Sequence, residues 1–437
     1  MKILSQNEYQ KRRNKLFENM DDNSVLVLGG EVEKVRNNDV NFEFRQDSAF
    51  WYLTGLEEAD ASLIMLKKGS EKYILFIQEK KIEEEVWTGY KIGKNKAKSF
   101  FLADESYNNN ENEKFKEIIF LCEKIYYNLG SSSKIDRLIF EGLEKFKRTN
   151  SRTGTPNPMI VDPSILIDSM RLIKSKAEVD LIQNAIDISA KGFIKAMENT
   201  SHNKYEYEIQ EALEMEFRMS GAKRNGYPSI VASGKNSCIL HYVSNNKKLK
   251  KDSLILIDAG SEWDYYSADV TRTWPVNKKF TSEQKDIYEI VLEANISAIE
   301  ECKIGNSIND PHVKALIIII DGLKNLEILS ESVDEIFDKK LYFPFYMHST
   351  SHWLGLDVHD AGKYKDINDN STQFKEGMIL TIEPGLYFGD MAQKVTKKYK
   401  NIGIRIEDDI LITKSGPKNL TESIPKTIKE IEDIMRL

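Results

Sequence analysis

The sequence predicts an α/β (α+β) protein in two parts: a smaller mixed N-terminal domain, then a larger C-terminal domain in which a helix, helix, hairpin layout occurs twice. Three observations carry this expectation. The 437 residues exceed the ~250–300 at which a single hydrophobic core stops growing. Short β-rich runs alternate with charged, helix-compatible stretches over roughly the first 170 residues. Beyond them, long amphipathic periods are followed by pairs of apolar runs that carry acids.

In the first part, strands are expected at 24–28, 61–66 and 73–78 and helices at 82–85 and 113–119. A Thr/Gly/Pro-rich loop at 152–158 precedes a helix start at Ser175, where Glu178 three residues on makes a capping box. The boundary is therefore set near residue 172, giving domains 1–172 and 173–437. Val179, Ile182, Ile186 and Phe193 mark the core face of the first long helix, and Ile209, Leu213 and Phe217 mark a second helix stopping near Gly221. Strands at 254–257 and 268–273, joined by Gly-Ser-Glu-Trp-Asp, read as a hairpin. Thr281 with Gln284 opens a helix over 287–299, and two further strands fall at 378–382 and 402–406.

Composition narrows the function. Hydrophobic residues at 41% and aromatics at 10% supply real cores, which excludes global disorder. Lys+Arg 62 against Asp+Glu 69 gives −7 with no long block of either sign, which argues against a nucleic-acid partner. The start MKILSQNEYQKRRN lacks an apolar core of signal-peptide length, and the longest aliphatic run, 316–320, is far below the ~20 residues that span a bilayer. No membrane partner and a cytoplasmic location are expected. Cys122, Cys238 and Cys302 are odd in number and widely spaced, so they read as reduced thiols.

The acids carry the chemistry. Asp258 ends the apolar run LILID, and Asp269 lies in SADVTRTW, where a hairpin brings both carboxylates to one face. Glu383 ends MILTIE and Glu407 lies in the expected strand IGIRIEDD, repeating the arrangement. Four converging carboxylates would repel one another and lose hydration. Two divalent cations remove the problem: +4 against −4 from Asp258, Asp269, Glu383 and Glu407, with neutral His352 as a fifth ligand. Oxygen-rich ligation with one imidazole points to Mn²⁺, with Co²⁺ or Zn²⁺ as alternatives. Each acid or histidine alone would more often be structural; the order Asp, Asp, His, Glu, Glu in strand context is what is specific.

These segments, with SGKNSCILHY around His241, HSTSHWLGLDVHD and EGMILTIEPGLYF, resemble the pita-bread metallopeptidases, and most closely the Xaa-Pro aminopeptidases, also called aminopeptidase P. The first domain is similar to theirs in FEFRQDSAFWYLTG and Trp87-Thr88-Gly89. The resemblance implies a pita-bread catalytic domain that removes the N-terminal residue from short peptides with proline second. It implies that Asp269 and Glu407 bridge two metals, that Asp258 chelates one and that His352 and Glu383 bind the other. In that family a water between the metals attacks the scissile carbonyl, Glu383 assists proton transfer, and the counterparts of His241 and His359 hold the substrate carbonyl and the tetrahedral centre. His348 joins the catalytic set. Arg405, two residues before Glu407, would brace acidic ligands. Trp353, with His241, His348 and His359, would wall a proline pocket, while Tyr387 lines the groove or packs as a strand-end tyrosine.

One departure is visible. The family usually has Gly after the counterpart of His348, and this chain has Ser349, which would be strained if the backbone needed positive φ. The resemblance also implies a homo-oligomer, dimer or tetramer, with the first domain making contacts and restricting access. Rival readings are a prolidase acting on Xaa-Pro dipeptides, a methionine aminopeptidase, which normally lacks the ~170-residue first domain, and a non-catalytic scaffold, which would lack ligands. The segments SHWLG and IGIRIEDDILIT fit the aminopeptidase better.

Overall fold

The N-terminal apolar runs assemble into a six-stranded mixed sheet. Its strands are Ser24–Gly29 (β1), Ser62–Lys67 (β2), Glu71–Ile77 (β3), Glu105–Asn108 (β4), Lys124–Tyr126 (β5) and Met159–Val161 (β6), in the order β4-β3-β2-β1-β5-β6. β1 runs antiparallel to β2 and parallel to β5. Its sequence SVLVLG is almost wholly buried, as expected of a central strand covered on both faces. Val25, Val27, Ile64 and Phe76 pack against Ile118 and Ile119 of one helix and Leu138 and Ile139 of another. In the computed structural model, which describes residues 4–392 and 397–436, this sheet belongs to a first compact unit, Met1–Ser169; the second is Met170–Leu437.

The second unit starts with helix Lys176–Asn199 (α1). Ser175 Oγ accepts from the Glu178 amide and Glu178 Oε2 accepts from the Ser175 amide at 2.9 Å, so the expected capping box is formed. α1 buries Leu181, Ile182, Ile186 and Phe193 and lies beside helix Glu206–Met219 (α2). Strands Leu254–Asp258 (β7) and Thr271–Pro275 (β8) then pair antiparallel, with Asp258 opposite Thr271. Helices Ser282–Glu300 (α3), capped by Thr281 and Gln284, and Asp310–Asn325 (α4) precede the second hairpin. That hairpin comprises Ile379–Ile382 (β9), Gly385–Tyr387 (β10), Gly403–Arg405 (β11) and Asp408–Thr413 (β12). The helix, helix, hairpin layout therefore occurs twice.

Both hairpins are interrupted where the acids lie, which differs from the continuous strands expected at 268–273 and 402–406. Ile382 faces Asp408 and Gly385 faces Arg405. Each pair is three positions from the other on both strands, so the register runs unchanged through the gap and sets Glu383 opposite Glu407. The ladder breaks because its polar groups turn elsewhere. Pro384 has no N–H to give, and the Glu407 amide donates instead to Thr271 O of the other hairpin at 3.1 Å. In the first hairpin, the Asp269 amide donates to the Asp409 carboxylate at 3.1 Å. Each gap thus ties one half of the unit to the other.

Candidate metal centre

A cavity of about 720 Å³ opens over these gaps. Its lining includes Asp258, Asp269, Glu383, Glu407, His352, His241, His348, His359 and Arg405, so nine of the eleven residues singled out from the sequence meet in one place. Two do not line it. Trp353 is fully buried, packed on Tyr364 and Phe374, so it is core behind the cavity rather than its wall. Tyr387 is 1% exposed and packs as the strand-end tyrosine, with its hydroxyl between Arg405 and His348. Alternation explains Trp353, which follows the cavity residue His352 and points away from it, whereas Tyr387 lies beneath the cavity with its ring buried and its hydroxyl on two lining residues.

The acids sit close together with few cations. Ligand atoms of Asp269, His352 and Glu407 all lie within 4.8 Å of one another. His352 Nε2 is 3.2 Å from Asp269 Oδ2 and 3.6 Å from Glu383 Oε1. Arg405, 3% exposed, donates through Nη2 to Asp258 Oδ2 at 2.5 Å and through Nε to Thr271 Oγ1 at 3.0 Å; that hydroxyl donates to Glu407 Oε2 at 2.7 Å. Arg405 is thus buried and hydrogen-bonded to Asp258 rather than forming a surface ion pair. Burial pushes the Glu407 carboxyl well above the carboxylate range, with Asp269, Glu383 and Asp258 adding to the effect. Burial likewise raises Asp258, and it brings Glu383 to about 7. Burial works against charge on His352, but the hydrogen bond to Asp269 and the fields of Asp269 and Glu383 outweigh it and bring the ring to about 9.

This donor set fits divalent cations. Left to themselves, these carboxyls crowd one another, and among the described residues Arg405 and the His352 and His348 imidazoles are the basic groups within ion-pair distance of them. Tyr227 makes the shortage concrete: its one hydroxyl proton lies between Asp258 Oδ1, at 2.6 Å, and Asp269 Oδ1. His352 is oriented as a ligand as well. Its Nδ1 faces the Trp353 carbonyl at 3.1 Å, which leaves Nε2 toward the acids.

The other histidines flank the acids. His359 stacks on His352 with centroids 4.0 Å apart, and burial lowers its pKa. Its loop is anchored by Asp360, which is buried between Arg171 and Lys174. His348 Nδ1 faces the Ser349 carbonyl, an acceptor, so Nε2 accepts from the Tyr387 hydroxyl at 2.8 Å. Burial first, then Arg405, lowers the His348 pKa to about 3 and keeps the ring neutral. Ser349 does not adopt positive φ among the described residues, so the departure from glycine carries no strain. His241 is exposed at the rim.

Two contributors were missed from the sequence. Tyr227 follows a glycine in a loop and gives no periodic signal. Asp409 lies in the segment IGIRIEDD without a role assigned from the sequence; it is fully buried behind Asp269 with Oδ1 unpartnered, and burial and Asp269 hold it well above the carboxylate range.

Residues 180–414 match the model of metallopeptidase family M24, and residues 9–126 match the aminopeptidase P N-terminal domain. The chain belongs to metallopeptidase family M24. Among similar M24 proteins is the Xaa-Pro aminopeptidase of Haemophilus influenzae, 41% identical over 443 residues, covering 100% of this chain and 98% of that protein. That of Escherichia coli is 37% identical and covers 100% and 99%. Among solved structures, the zinc-substituted E. coli aminopeptidase P in complex with product superposes with a TM-score of 0.95 at 37% identity, covering 100% of this chain and 99% of that one. Pseudomonas aeruginosa aminopeptidase PepP gives 0.95 at 39% with the same coverage. The fold is thus mixed α/β, with a C-terminal M24 pita-bread domain whose candidate metal-binding group contains Asp269, His352 and Glu407.

Proposed function

We propose that this chain is a metal-dependent Xaa-Pro aminopeptidase, releasing the N-terminal residue from short peptides whose second residue is proline. The observation that carries the reading is the convergence of Asp258, Asp269, Glu383 and Glu407 with His352 in one cavity where opposing cations are too few. Relatives matched along their whole length bear the name of that activity.

Asp258, Asp269, His352, Glu383 and Glu407 would hold two divalent ions; the oxygen-rich set favours Mn²⁺ over Co²⁺ or Zn²⁺. When bound, such ions polarise a peptide carbonyl and bring the pKa of water from 15.7 toward about 7. Glu383 takes a proton at its carboxylate oxygens and returns it to the departing nitrogen. His241 and His359 offer ring N–H groups to the substrate carbonyl oxygen as it gains charge. Arg405 holds Asp258 in place and favours its charged form against the effect of burial. An Xaa-Pro bond has no amide N–H and a fixed φ, so recognition falls to apolar surface; Pro228, Ile230, Leu240, Val243 and Val358 supply it.

The first domain, 1–172, would contribute contacts within a homo-oligomer, dimer or tetramer, and restrict entry to short peptides. Three free cysteines support a reducing, cytoplasmic setting, and no described helix is long and apolar enough to cross a membrane. Chelated protein should lose turnover and regain it with Mn²⁺, and Xaa-Pro-Yaa should be cut in preference to Xaa-Pro. Full turnover without metal would overturn the mechanism; preference for the dipeptide would make the chain a prolidase.

A further inference from the structure

Helix α3 carries a buried polar side chain that reaches neither the cavity nor solvent. Asn295 is fully buried, and its Nδ2 donates to the carbonyl of Ile382 at 3.0 Å and of Ile406 at 3.3 Å. Its Oδ1 accepts from Lys426 Nζ at 2.8 Å. Chemistry fixes this orientation, because carbonyls only accept and an ammonium only donates. Ile382 and Ile406 are the residues immediately before Glu383 and Glu407.

The contact to Ile406 has a specific meaning in the ladder. The register sets Pro384 opposite Ile406, and the Ile406 amide donates to Pro384 O at 3.3 Å. An ordinary residue at 384 would return that bond to Ile406 O. Proline cannot, and the Asn295 amide supplies a donor at the vacant carbonyl while its second N–H grips the opposite strand at Ile382. The far side of the clamp is fixed too. Lys426 Nζ also reaches Asp408 Oδ2 at 2.6 Å, and Arg272 donates to the Glu407 carbonyl and to Asp408 Oδ1 at 2.8 Å.

We infer that Asn295 is a positioning residue for the metal centre: it replaces the ladder hydrogen bond that Pro384 cannot make and so fixes the separation of Glu383 from Glu407. The inference rests on the reading of those two glutamates as metal ligands. It acts through the backbone of both glutamates, so its loss affects metal affinity before substrate binding.

The test is titration of metal-free full-length protein with Mn²⁺, followed calorimetrically, beside steady-state kinetics. Asn295→Leu, similar in volume and without donors, should bind at least one Mn²⁺ about 10–100-fold more weakly and lose kcat with KM nearly unchanged. Should that variant not fold, Asn295→Ser, which keeps one donor, should show a smaller shift in the same direction. Val291→Ala, buried one turn earlier on α3, should lower the melting temperature while leaving Mn²⁺ affinity as in the wild type. Wild-type Mn²⁺ affinity in the Asn295 variants, or an equal loss in Val291→Ala, overturns the inference alone. Wild-type protein that takes up no Mn²⁺ overturns the ligand reading and this inference with it.

Discussion

Stripping the ions should set the centre against its own fold as pH rises. In the metal-free protein burial carries the Glu383 carboxyl from an ordinary 4.5 to about 7, and His352 moves from 6.5 to about 9. Both hold a proton more tightly folded than unfolded, so the folded state binds more protons through these windows. Their contribution is complete below the unfolded pKa and is lost as pH rises through the folded one. At 1.36 kcal/mol per pH unit, the Glu383 window alone amounts to on the order of 3 kcal/mol by pH ~8. For a unit of this size that is roughly 6–12 °C in melting temperature. The assay is differential scanning calorimetry of chelated and Mn²⁺-loaded protein between about pH 5 and 8. The chelated protein should melt progressively lower with rising pH, and the loaded protein should not, because its ligands are held unprotonated. A flat profile for the chelated protein would refute the claim that these groups share too little positive charge.

Three other outcomes follow from the same geometry. Asp409→Asn keeps the acceptor for the Asp269 amide and removes a carboxyl whose ionisation burial and Asp269 oppose, so its melting temperature at neutral pH should correspond to a change within about 1 kcal/mol. Tyr227→Phe removes the hydroxyl shared by Asp258 and Asp269 and should weaken Mn²⁺ binding about tenfold, read by titration, with little change in the urea midpoint. Gly260→Ala would put a methyl 1.8 Å from the Ala268 carbonyl oxygen, a backbone atom with nowhere to move, and should cost at least about 3 kcal/mol in urea unfolding.

What the sequence disclosed was local chemistry. The capping boxes Ser175/Glu178 and Thr281/Gln284 depend on residues three apart, and both formed as read. The acids were legible because each ends or follows an apolar run, and a hairpin leaves few ways to arrange them. The gaps in the hairpins were not legible: whether Glu407 continues a strand depends on its amide finding Thr271, more than a hundred residues away. The same holds for Trp353, whose side of the chain is set by its bridge to Leu380, a pairing that only the folded chain defines. Asn295 lies on a helix face shared with the buried Ile287, Tyr288, Val291 and Ala298, and its partners include two carbonyls that carry no residue-type signal.

The crossing of the two gaps bears on more than catalysis. An ion gripped by Asp269 of one hairpin and Glu407 of the other would staple together stretches of chain that are remote in sequence, as a disulfide does, yet could be undone by dilution. Scarcity of the ion would then loosen the mutual grip of the two halves at the same moment that it silences the enzyme, so idle molecules would also be the ones most open to degradation.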